Sequence, residues 1–199
     1  MNTKHQGFTL IEAMVAITIL LIGVIGPLSI ASRGIADGLY ASNQIAANYL
    51  AQEAIETVLW QRNNDAYNAD DTTGWVTNLD SLSSKCDVPS KPISCIVDAR
   101  ATTFSSIIKK ETCLNATTLG NSACDLIYDS SSSVHQYVNP PDAVIDSTIG
   151  TIFRRRVYLV PFLIGSEIQE LKVVVIVDWS NRGTPQSMTL TERLYPKTN

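Results

Sequence analysis

Residues 7–32 read GFTLIEAMVAITILLIGVIGPLSIAS, and the reading of this stretch decides the fold. No charged residue occurs from position 13 to position 32, and most of the run is Ile, Leu, Val, Ala and Met. As a helix rising 1.5 Å per residue, that run spans about 30 Å, the thickness of a bilayer's hydrocarbon core. A soluble helix of this length normally carries a polar stripe, and this one has none. Two rival readings are a buried core helix and a cleavable secretory signal. For the signal, Lys4 supplies a basic start and Ser29-Ile30-Ala31 a small-residue cut site that would leave Ser32 first. Against it stand the acid Glu12 near the head of the run and a helical pattern that continues past the run without a break.

Glu12 demands a physical account. A carboxylate within a membrane-spanning helix costs about 2.5–3.5 kcal/mol on insertion scales, and less near an interface. Either it is solvated among headgroups or it meets a cation. Cleavage between Gly7 and Phe8 would place a new α-amino group one helical turn before Glu12. Such an amine has a reference pKa of about 7.7–8.0 and is largely cationic. Residues four apart share a helix face, so the ammonium would neutralise this carboxylate in its own chain or in a neighbour.

Gly7-Phe8-Thr9-Leu10-Ile11-Glu12, followed at once by a long apolar helix, resembles the N-terminal processing signal of type IV prepilins and pseudopilins. The resemblance implies that a membrane-embedded prepilin peptidase removes the leader, residues 1–7, by cutting after Gly7, and then N-methylates Phe8. It implies that Glu12 pairs with the N-terminal amine of an adjacent subunit during assembly. It further implies partnership with other pilin subunits and with inner-membrane assembly machinery. The expected location is the bacterial cytoplasmic membrane, single-pass with the C-terminal domain outside, and then a pilus filament at the cell surface.

From residue 33 to about residue 63 the pattern becomes amphipathic. Ile35, Leu39, Ala46, Tyr49, Leu50, Ala54 and Val58 follow mostly three- and four-residue steps, with Arg33, Asp37, Asn43, Gln44, Gln52, Glu53 and Glu56 on the polar side. Helical throughout, residues 8–63 would extend roughly 84 Å. Gly23, Gly26 and Pro27 predict a kink or local loosening, because proline removes a backbone hydrogen bond and clashes with the preceding turn. Gly34 and Gly38 mark a second soft spot. The stretch Asn48-Tyr49-Leu50-Ala51-Gln52-Glu53-Ala54-Ile55-Glu56 resembles the second half of the helix in PilV-like minor pilins.

The last fifty residues alternate. Leu171, Val173, Val175, Val177 and Trp179 form one wholly apolar strand face, Ser180-Asn181-Arg182-Gly183 reads as a turn, and Met188, Leu190 and Leu194 mark an antiparallel partner. Phe153, Val157 and Leu159 mark another strand, which Pro161 is expected to end or confine to an edge. Residues 64–150 are rich in Asn, Asp, Ser and Thr, with brief strands expected at residues 93–97 and 126–128. Antiparallel strands laid on the outer half of one long helix make an α+β domain, and the type IV pilin-like fold has the same architecture. The expected organisation is therefore a leader (1–7), a transmembrane or filament-core helix (8–32), an amphipathic half (33–63) and an extracytoplasmic β-rich domain (64–199).

Cys86, Cys95, Cys113 and Cys124 lack the C-x-x-C pairs of zinc knuckles or redox sites. In an extracytoplasmic domain they should be oxidised. Three connectivities exist, of which the two short loops, Cys86 with Cys95 and Cys113 with Cys124, are the simplest.

Composition argues against an enzyme. Apolar residues make up 45% and charged residues 17%, and the net charge of −4 gives no overall basic field to gather nucleic acid. His5 and His135 stand far apart, Asp70-Asp71 lacks the acid spacing of an EF-hand, and no G-x-S-x-G elbow accompanies the serines near His135. No catalytic residue, metal or cofactor is expected. Arg154-Arg155-Arg156 is the only basic cluster, and on a strand Arg154 and Arg156 share a face with Tyr158. A DNA contact there ranks behind a solvated sheet face or a subunit contact. The function read from these features is structural: a minor pilin supporting pilus assembly, adhesion or DNA uptake. The alternatives are a type II secretion pseudopilin and, in another class, a secreted soluble binding protein cut after Ala31.

Overall fold

A computed structural model of the chain describes residues 9–68, 74–76, 79, 86, 93–99, 107–113, 124–129, 136–138, 152–165 and 167–196. Two compact units divide the chain, residues 1–43 and residues 44–199.

The first unit holds the start of helix α1 (Leu10–Asn68). Its side chains are exposed on every side, Leu10 by 80% and Ile22 by 75%, as an all-apolar rod must be when nothing in its own chain covers it. The helical backbone is unbroken through Gly23, Gly26 and Pro27, where loosening was expected. Thr18 and Ser32 return their hydroxyls to backbone carbonyls one turn back, Thr18 to Val15 at 2.8 Å and Ser32 to Ser29 at 2.9 Å. That removes two polar groups from an otherwise apolar surface.

In the second unit, the rest of α1 packs on a five-stranded antiparallel sheet of order β2-β1-β5-β6-β7. The strands are β1 (Ile93–Val97), β2 (Ile108–Thr112), β5 (Phe153–Ile164), β6 (Glu167–Asn181) and β7 (Thr184–Leu194). A separate two-stranded ribbon pairs β3 (Ile127–Asp129) with β4 (Gln136–Val138). The arrangement is α+β and type IV pilin-like, with a long N-terminal apolar helix leading into a helix-on-sheet layer. The helix face that meets the sheet is Ala47, Leu50, Ala51, Ala54, Ile55 and Val58, all buried. Ala47, Ala51 and Ala54 carry no side chain beyond Cβ, and all three are fully buried. Opposite them lie Val157, Leu159, Leu171, Val173, Val175, Val177 and Trp179, with Phe153 and Trp179 in tilted ring contact at 6.5 Å. Each fully buried Val or Leu contributes about 1.5–3 kcal/mol.

Two expectations are corrected here. Tyr49 is 68% exposed and Ile35 and Leu39 are exposed too, because the buried stripe starts only near Ala46 and runs through Ala47 rather than Tyr49. Pro161 does not end β5, which continues to Ile164, and β5 is an inner strand of the sheet rather than an edge strand; Pro161 pairs with Leu171. The reason lies in the alternation. The N–H groups of Arg155 and Leu159 point to the outer edge of β5, toward Cys124 O and Cys86 O, so position 161 is the next outward site and needs no donor. Strand β2 was not foreseen, since its IKKET sequence offers a single apolar residue.

The β6–β7 hairpin closes with Asn181 paired to Thr184, leaving a two-residue turn. Arg182 and Gly183 have φ of 51° and 79°, both in the left-handed region that a type I′ turn requires. Gly183 adopts it freely, whereas for Arg182 it costs roughly 1–2 kcal/mol.

Candidate assembly site and the arginine cluster

Helix α1 starts with a cap that sequence reading missed. Thr9 Oγ1 accepts the Glu12 N–H at 3.3 Å, and Thr9 O accepts the first intrahelical bond from Ala13 at 3.2 Å. Thr9-Leu10-Ile11-Glu12 therefore has the T-x-x-E spacing of a capping box, with Glu12 at the third helical position. A carboxylate there also faces the positive end of the helix dipole. The T-x-x-E spacing was legible in the sequence and was overlooked beside the question of Glu12's charge. Gly7 and Phe8 lie outside the described residues, as do His5, His135 and Asp70-Asp71. Residues beyond Glu12 present an apolar surface long enough to cross a membrane, none of it buried within the chain.

Cys86 is bonded to Cys95, and Cys113 to Cys124. Their places in the fold explain what the bridges do. The outer edge of β5 has no single partner strand. Cys86 O accepts from Leu159 N at 3.0 Å, Cys95 of β1 pairs with Val157, and Cys124 O accepts from Arg155 N at 2.9 Å. Three separate segments thus line one edge, and each contributes a disulfide cysteine. Ser94 Oγ lies 2.6 Å from Cys113 Sγ beneath the sheet, in position to donate to it. Each loop closure contributes about 2.5–3 kcal/mol in the chain-entropy model. Reducing both bridges in the full chain in detergent is expected to speed amide exchange at Arg155 and Leu159 while Val173 and Val175 stay protected. Equal protection at Arg155 and Leu159 before and after reduction would contradict the role.

Arg154 and Arg155 do not form a solvated face. Arg154 is 1% exposed and its Nε lies 2.5 Å from Asp125 Oδ1, itself buried. Arg155 is 2% exposed; its guanidinium donates to Leu50 O (3.0 Å), Glu53 Oε2 (2.6 Å) and Val97 O (2.7 Å), tying α1, β1 and β5 together. Arg156 pairs with Asp178 at 2.6 Å, and Tyr158 is fully buried. A DNA backbone cannot reach Arg154, Arg155 or the Tyr158 ring. Among the described residues, no group of three or more His, Cys, Asp or Glu is placed to hold a metal ion.

Residues 2–26 match the family model described as the prokaryotic N-terminal methylation motif. With the pilin-like arrangement, the match supports a type IV pilin or pseudopilin that is a substrate of prepilin peptidase and assembles with other pilins. Proteins of this kind are structural. Neither a curated protein nor a solved structure matches the chain.

Proposed function

We propose that the chain is a minor pilin, PilV-like, of a type IV pilus, cut between Gly7 and Phe8, N-methylated at Phe8 and assembled through its N-terminal helix. Residues 8–32 anchor it in the cytoplasmic membrane before assembly and lie in the filament core afterwards; residues 64–199 stay on the outer side. The observation that carries this reading is a charge-free apolar rod, uncovered by its own chain and headed by a lone acid within the methylation motif. The mechanism is lateral association of such rods, with Glu12 penalising wrong register because an unpaired charge would be buried. Release by a cut after Ala31 fits less well, since Ser29, Ile30 and Ala31 lie within continuous helix. The two disulfides suit an extracytoplasmic domain.

Shearing cells that make the tagged full chain tests the assignment. A minor pilin appears in the sheared filament fraction, whereas a secretion pseudopilin stays with the cell envelope.

A further inference from the structure

Strand β7 lies at one end of the sheet, and among the described residues no strand pairs with its free side. The register shows which backbone groups that side offers. The N–H groups of Arg155 and Leu159 point away from β6, so the even-numbered residues of β5 bond to β6. Arg156 therefore exchanges bonds with Ile176, which leaves Val175 and Val177 to bond to Leu190 and Met188 of β7. Even-numbered residues of β7 thus point inward, and Ser187, Thr189, Thr191 and Arg193 turn N–H and C=O outward. Pro185 obeys the same rule as Pro161: it stands at an outward site, where no donor to the neighbouring strand is lost.

Open sheet edges are normally blunted by charge, proline or short length. At the other end of the sheet, β2 carries Lys109, Lys110 and Glu111. Strand β7 has 11 residues, and from Gln186 to Thr191 it contains no charge, proline or glycine. Ser187, Thr189 and Thr191 are exposed, and β-branched threonines suit a strand with a neighbour on each side. On the helix-facing side, Met188 and Leu190 pack against the core yet stay half-buried, with no strand beyond β7 to cover them among the described residues. Together these features define what fits. It is an extended segment that pairs with the outward backbone groups, with apolar residues opposite Met188 and Leu190 and polar ones opposite the threonines.

We infer that the outer edge of β7 receives a strand from the globular unit of a different pilin, which extends the sheet by one strand. A chain of this class assembles with other pilins, and a minor subunit has neighbours of other kinds around it. The inference rests on the minor-subunit reading above and adds to it a contact outside the N-terminal helix.

The test uses the full chain in cells, with a photo-crosslinking amino acid at Thr191. The expected result is an adduct joining β7 to a different pilin, within a segment that alternates apolar and polar residues. Thr189→Pro removes an outward donor and keeps the bonds to β6, whereas Thr189→Lys puts a charge on the edge at an exposed position. Each should lower the yield of the adduct about tenfold, because an edge that lacks its donor or carries a charge no longer takes a strand. Thr189→Val, with its donor intact and no charge, should leave the yield unchanged. Amide protection at Val175, which bonds to β7, controls for folding; should the proline variant lose it, the lysine variant alone decides. An adduct with a second copy, with this chain's own segments or with a protein that is not a pilin, no adduct, or an unchanged yield in a blocking variant that keeps this protection would overturn the inference. If that happens while the chain still enters sheared filaments, the inference falls and the assembly reading stands.

Discussion

Glu12→Gln is expected to leave the chain in the membrane and to lower its incorporation into filaments on the order of a hundredfold. Glutamine keeps the spacing of the box that begins at Thr9, because the third helical position accepts Glu or Gln alike. The helix start therefore survives, and so does the apolar run that inserts. What disappears is the charge. In the proposed assembly the carboxylate meets the ammonium of a neighbouring Phe8, and removing one member of a buried ion pair costs about 3–5 kcal/mol. Each 1.4 kcal/mol is a factor of ten. Glu12→Ala would confound the two roles by weakening the cap as well. Comparing membrane and sheared fractions for Glu12→Gln separates them. Incorporation at the level of the unaltered chain would leave Glu12 as a capping residue and nothing more.

The second large effect concerns the inside of the globular unit. Arg155→Ala is expected to destabilise it by about 3–5 kcal/mol, because one guanidinium joins the helix carbonyl of Leu50, the Glu53 carboxylate and the Val97 carbonyl. Truncation also opens a cavity beneath α1. Glu53→Gln should cost less, about 1–2 kcal/mol, because Glu53 is a third exposed and water can replace its partner. For a unit of this size, 1 kcal/mol shifts Tm by roughly 2–4 °C, so Arg155→Ala should lower it on the order of 10 °C. Thermal unfolding of the full chain in detergent, followed by near-ultraviolet circular dichroism, reads both variants. A Tm for Arg155→Ala within a degree or two of the unaltered chain would contradict the role assigned to that side chain.

The arginines show where sequence stops being legible. Three adjacent charges read as surface because charged side chains are seldom buried unless paired, and their partners are remote in the chain. Asp125 and Glu53 lie 29 and 102 positions away, in segments with no pattern linking them to β5. Local alternation, by contrast, was sufficient for β6. Leu171, Val173, Val175 and Val177 are all fully buried on the face that the period of two assigns to the core, and the turn falls at Arg182-Gly183. Strand β1 was visible from five consecutive residues rich in Ile and Val, while β2 is held in place by its neighbour rather than by its own composition. The helix was legible as a helix, and its buried face only in part, because alanine is a weak hydrophobic signal. Ala47 and Ala51 define the contact, yet Tyr49, the larger apolar residue, faces solvent. Pro161 misled for a related reason: proline's prohibition depends on which way its missing N–H would point, and only the pairing of β5 reveals that.

At the N-terminus, sequence supplies the motif and structure the uncovered rod behind it. The mass and sequence of the N-terminal peptide of the protein purified from membranes measure the account's central claim directly. The account predicts a chain beginning at Phe8 and carrying one added methyl on its α-amino nitrogen. A chain that still begins at Met1, or one that begins at Ser32, would contradict it.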